Sequence, residues 1–157
     1  MAERNGWRSM RTFWGVLLIL ILAAAPGWAT LGEAESSVGA DRQFLRGQIR
    51  HEDHATYRLH EITDANGATV REYVSPAGKV FGVSWHGPYL PNMQQLLGTY
   101  FTHLQQYAQA QTSRHGGPLI IEKDNFVLVS GGHMRSYHGR AYVPNLLPSN
   151  VTAEVVQ

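Results

Sequence analysis

The chain of 157 residues contains no cysteine. That removes disulfides and thiolate metal ligands, and it also removes the acylation site of a lipoprotein. Any stability must come from an apolar core. Charge is sparse at 16% of residues, and no Lys/Arg cluster of the kind that neutralises phosphates occurs. Nucleic-acid binding is therefore not expected. The carboxylates are scattered singly, which gives no sign of a paired-acid glycosidase site. Gly131-Gly132 lacks a following GK[ST] or GxxG, so no phosphate-cradling loop is present. Repeats and low-complexity runs are absent as well. No cofactor or metal is expected from this inventory.

One long hydrophobic run is present, and it lies at the start. Arg4, Arg8 and Arg11 form a basic lead, Phe13 to Ala25 is uninterrupted apolar sequence, and Pro26-Gly27 breaks any helix. Gly27-Trp28-Ala29 supplies small residues at the two recognition positions. This is the three-part pattern of a signal peptide over 1–29, cleaved after Ala29, and it predicts a periplasmic or secreted protein. From Thr12 to Gly32 no residue is charged, so the membrane enters only if the segment is retained as an anchor. Cleavage takes three of the thirteen basic residues and Glu3 of the twelve acidic ones. Ten and eleven remain, a formal charge of −1. The basic balance of the whole chain belongs to the leader.

Residues 30–43 are poor in large apolar side chains and read as a mobile leader, ahead of a single domain over 44–157. Phe44 to Arg50 is a weak edge strand, and His51 to His54 a polar connection. Tyr57 to Thr63 and Thr69 to Ser75 are strands around Asp64-Ala65-Asn66-Gly67, where Asn-Gly is a strong hairpin signal. Ser75-Pro76-Ala77-Gly78 turns into a third strand, Lys79 to Trp85, with Phe81, Val83 and Trp85 on one face. The opposite face carries Val80, Gly82 and Ser84, small enough for another backbone or a helix to pack close. Asn92 is placed to cap a helix over 92–111. Met93, Leu96, Leu97, Tyr100, Phe101, Leu104 and Tyr107 fall on one helical stripe, with Gln94 and Gln95 among the polar residues opposite. Burying the large members of that stripe would contribute about 10–15 kcal/mol before chain entropy. Leu119 to Glu122 and Phe126 to Ser130 flank a turn at Lys123-Asp124-Asn125. Gly131-Gly132 is read as a bend before a last pair, His133 to Tyr137 and Gly139 to Val143. The sum is an α+β domain: a twisted, mainly antiparallel sheet of about five to seven strands, with one long amphipathic helix packed on a face.

Eight histidines invite a metal site, yet His51 and His54 sit in a polar loop without further ligands. His133 and Met134 have the softness copper favours, but His138 is five residues on and faces the other way in a strand. Ser130, His133 and Asp124 are the parts of a hydrolase triad, without the leading glycine of a nucleophile elbow. Arg71, Glu72, Arg135 and Arg140 read as single strand charges in cross-strand salt bridges. The loop Trp85-His86-Gly87-Pro88-Tyr89 sets aromatics between prolines, a rigid platform for a peptide or sugar ring. Binding candidates are therefore Trp85, His86 and Tyr89 in this loop, with His133 and Arg135 beside the Gly131-Gly132 bend. Catalytic and metal-ligating residues are not assigned.

The blocks Y-R-L-H-E-I (57–62), V-R-E-Y-V-S-P-A-G-K-V-F (70–81), W-H-G-P (85–88), L-L-G-T-Y-F (96–101), S-G-G-H-M-R (130–135) and G-R-A-Y-V-P (139–144) resemble the DUF2844 family of exported bacterial proteins of unknown function. The resemblance spans most of the exported part and implies no catalytic residue. The resulting expectation is a non-catalytic binding or assembly module of the cell envelope, whose partner is an envelope protein or small ligand. The alternative is a small hydrolase or metal-handling enzyme built on His133 and Ser130.

Overall fold

A computed structural model describes residues 31–110 and 117–157. The expected signal peptide over 1–29 lies outside them. Seven strands form one antiparallel sheet: β1 (Gln48–Asp53), β2 (Arg58–Thr63), β3 (Thr69–Val74), β4 (Val80–Gly87), β5 (Leu119–Lys123), β6 (Phe126–His133) and β7 (Ser136–Tyr142). Their spatial order is β1-β2-β3-β4-β7-β6-β5, two meanders joined where β4 pairs with β7. Among the described residues no helix is long and apolar enough to cross a membrane.

Turn chemistry sets most of the connections. Asp64 accepts from the main-chain N–H of both Asn66 and Ala68, and Gly67 takes the left-handed corner at φ 85°. Asn66 does not share that conformation, so this hairpin differs from the two-residue Asn-Gly turn expected. Asp124 and Asn125 do adopt positive φ together, at 47° and 63°, and close β5 onto β6 with two residues. No bend occurs at Gly131-Gly132. The β6 strand runs through it to His133 and turns at Met134-Arg135, where Arg135 has φ 67°.

Among the described residues three α-helical segments accompany the sheet: α1 (Val38–Leu45), α2 (Met93–Leu97) and α3 (Phe101–Ala110). The single long helix expected over 92–111 is broken. Asn92 caps α2 as expected, accepting from the Gln95 N–H at 3.1 Å. Gly98 then takes φ 53° and ψ −123°, which no helix sustains, and a 3-10 turn leads into α3. Leu96 and Leu97 are buried, but α3 contributes no fully buried residue. Its stripe therefore stabilises less than continuous burial would. Of the segment 30–43 read as a leader, Leu31, Val38 and Asp41 are buried, and α1, which runs on to Leu45, lies against the sheet. Ser37 precedes α1 without capping it, its hydroxyl donating instead to the Ala34 carbonyl at 2.5 Å.

The sheet has two cores. Ile62, Val70, Val74, Val83, Trp85, Leu128 and Ala141 meet the helical segments on one face. On the other, Tyr73 and Phe81 pack under the C-terminal segment through Val156. Phe81 was expected beside Val83 and Trp85. An irregularity between β3 and β4, where Tyr73 pairs with Gly82 but Val74 with Val80, turns it to the opposite face. Gly82 makes room for a side chain rather than a backbone: a Cβ there would lie 2.7 Å from Val156 Cγ2.

Candidate functional site

Strand register brings two of the suspected loops together. Gly87 at the end of β4 pairs with Tyr137, and Tyr137 pairs with Gly132 across the β6–β7 hairpin. His86 pairs with His138, which pairs with Gly131. The β2–β3 turn joins them, since a Cβ on Gly87 would lie 2.7 Å from the Ala68 Cα. His86, His133 and Arg135 are all exposed at this end, with Met134 at 83% exposure on the hairpin tip. Tyr89 is partly buried in the exit loop. Trp85 is not a surface residue. It is 3% exposed, and its ring lies over Gly139, where a Cβ would be 2.3 Å from Cζ2.

The triad candidates are held apart. Ser130 Oγ donates to the His138 carbonyl at 3.5 Å, while His133 Nδ1 contacts the carbonyl of Met134 at 3.1 Å. Asp124 sits in the β5–β6 turn, six residues from Ser130 along an extended strand and so about 20 Å away. His51 and His54 do not converge on a metal either. His51 Nδ1 meets His60 Nδ1 at 2.5 Å, whereas His54 stacks on Tyr57 with ring centroids 4.4 Å apart. Among the described residues no cluster of three His, Asp or Glu could hold a metal ion.

A concavity of about 230 Å³ opens on the sheet face opposite the helices, lined by Glu61, Thr69, Arg71, Ser84, Trp85, His86 and Gln157. Thr69 pairs with His86, and Arg71 with Ser84, so four side chains form a two-by-two patch on β3 and β4. Three donors converge there on one main-chain oxygen, that of Gln157: Tyr73 Oη at 2.7 Å, Ser84 Oγ at 3.0 Å and Arg71 Nη1 at 3.1 Å. Arg71 Nε donates to Glu61 at 2.7 Å, and that bond pushes the guanidinium pKa above its ordinary value. The expected cross-strand salt bridge is thus present for Arg71. Arg140 instead donates to the Val156 carbonyl at 3.3 Å, and Arg135 is a turn residue. Of the residues lining the concavity, His86 and Trp85 were sequence candidates. Thr69, Arg71 and Ser84 were concealed because their common face depends on register, which one strand cannot reveal alone.

A second polar group is built on the helix-bearing face. Glu35 accepts from His60 Nε2 at 2.9 Å and pairs with Arg58 at 2.7 Å, tying the segment before α1 to β2. Burial lowers the His60 pKa against the opposing pull of Glu35, with His51 lowering it further. Deeper in, Glu72 faces Asp41, and Gln95 of α2 donates to Asp41. Glu72 is therefore no surface charge, and Gln95 is buried rather than on the polar side of its helix.

Comparison with known proteins adds a family and no activity. The model of the family described as "Protein of unknown function (DUF2844)" matches residues 27–156, so the chain belongs to the DUF2844 family. No curated protein and no solved structure matches it.

Proposed function

We propose that this member of the DUF2844 family is a non-catalytic binding module of the bacterial cell envelope, exported by the 1–29 segment and acting in the periplasm or outside the cell. The observation that carries the reading is the meeting of the β4 exit loop and the β6–β7 hairpin at one end of the sheet, with His86, His133 and Arg135 exposed. Hairpins presenting exposed polar side chains beside a cleft suit recognition of a partner. The hydrolase alternative finds less support, because Ser130 and His133 engage main-chain carbonyls and Asp124 pairs with Lys123, rather than with one another.

The test is a pull-down from envelope extract with the mature protein and with the double variant His133→Ala, Arg135→Ala. A species retained by the parent and lost with the variant is expected. Equal retention by both would remove the hairpin from the interface. Mass analysis of protein from the periplasmic fraction checks export: the chain should begin at Thr30.

A further inference from the structure

We propose that the Thr69–Arg71–Ser84–His86 cleft, bordered by Arg140, is a binding site for an oxyanion, the carboxylate or phosphate group of a small ligand. The inference rests on the binding-module reading and names the chemistry its open sheet face would recognise. Its basis is the order of side chains across three strands. Arg71, Ser84 and Arg140 are register neighbours in one row, and Thr69, His86 and His138 are neighbours in the next. Two guanidinium groups flank a hydroxyl, and two imidazoles stand beside a second hydroxyl. None of these six positions is a carboxylate.

The donors are already aimed at an oxygen. The Gln157 main-chain oxygen accepts from Arg71, Tyr73 and Ser84 at 2.7–3.1 Å, and Arg140 reaches the Val156 oxygen in the same way. Those contacts occupy Tyr73, Ser84 and one Nη of Arg71, so an oxyanion uses them only by sharing or replacing the Gln157 oxygen. Arg71 spends Nε on Glu61 and Nη1 on Gln157, which leaves Nη2 out of both contacts. The cleft beside Gln157, about 230 Å³, has room for a small acid rather than a large ring system. His86, exposed at its rim, adds an imidazole whose ring N–H can donate to an anion. His138 is the register partner of His86 on the next strand, but its ring leans over Gly131 of β6, 3.3 Å from where a Cβ would stand. Glu61 opposes binding: it lines the same cleft and offsets the charge of Arg71.

The opposition of Glu61 gives the proposal a direction that a mere surface effect would not share. Inorganic phosphate and, separately, acetate are titrated into the purified full chain at constant ionic strength near pH 6.5. The imidazole carbon–proton signals of His86, His138 and His133 are followed by NMR. A saturable shift of His86 with one or both anions is expected, exceeding that of His133, and the anion that binds more tightly identifies the class. Glu61→Gln should tighten binding several-fold by freeing the Arg71 charge. Arg140→Gln should weaken it about tenfold, the loss of one charge-assisted hydrogen bond. Far-ultraviolet circular dichroism checks that each variant is folded. Shifts at His86 no larger than at His133 would overturn the proposal, as would affinity unchanged in Glu61→Gln. Either failure leaves the pull-down result standing, since that experiment reads the hairpin tip through His133 and Arg135.

Discussion

Glu72 on β3 is buried against Asp41 on α1, both side chains about 1% exposed. Burial, then the neighbouring carboxylate, raises the Glu72 pKa well above the ordinary range. The folded protein therefore holds a proton that the unfolded chain releases near pH 4.3. Stability from this group is complete below that pH and declines as pH rises towards the folded pKa, by about 1.4 kcal/mol per unit for one proton. Urea unfolding followed from pH 4 to 9 should show the decline, and Glu72→Gln should flatten it. Equal slopes in the two proteins would show that Glu72 does not retain its proton.

His60 has the opposite sign. Its folded pKa lies below the ordinary value near 6.5, chiefly through burial, so protonation favours the unfolded chain. Stability should fall as pH drops from about 6.5 through the folded pKa. Glu35 and Arg58 face the ring from one side and His51 from the other. Glu35→Gln should lower the His60 pKa further, which an NMR titration of the ring reads directly. A rise would mean that Glu35 is not the partner that favours the charged imidazole.

Gly139 and Trp85 occupy one volume. A Cβ at 139 would meet the indole at 2.3 Å and the Val129 carbonyl at 2.7 Å, and neither can yield cheaply. Gly139→Ala should cost on the order of 1–3 kcal/mol, the usual penalty for overpacking a filled core. Chemical denaturation gives the value. An unchanged midpoint would mean that the indole does not rest on Gly139.

Legibility of the chain follows from the range of the interactions. The β2–β3 pair and the Asp124-Asn125 turn were readable because alternation and turn residues are local signals. The break at Gly98 was masked by an apolar stripe that continues on both sides of it. Phe81 shows the limit within a strand: its side chain obeys the period until the β3–β4 irregularity reverses it. Of the candidate site, His86, His133 and Arg135 were accessible to sequence reasoning because loops rich in Gly and Pro flag exposed polar groups. Arg71, Ser84 and Arg140 became one patch only through the pairing of β3, β4 and β7. The Asp41–Glu72 contact joins residues from a segment read as a leader and from a strand, and nothing local announces it.

The C-terminal segment is held to the sheet by Val156, fully buried over Gly82 and beside Tyr73 and Phe81. Its main-chain oxygen and that of Gln157 receive the Arg140, Arg71, Tyr73 and Ser84 donors, so apolar burial and polar contacts fix the same two residues. Val156→Ala should therefore do more than remove two methyl groups. The direct cost is about 2 kcal/mol for lost burial and the cavity left behind. Loosening the segment should also raise hydrogen exchange at the Gln157 N–H, which now donates to Tyr73 Oη at 3.1 Å. Val156→Ala combined with Ser84→Ala should cost less than the two changes separately, because both act on one anchored segment. Strictly additive losses would show that the apolar and polar anchors of this segment are independent.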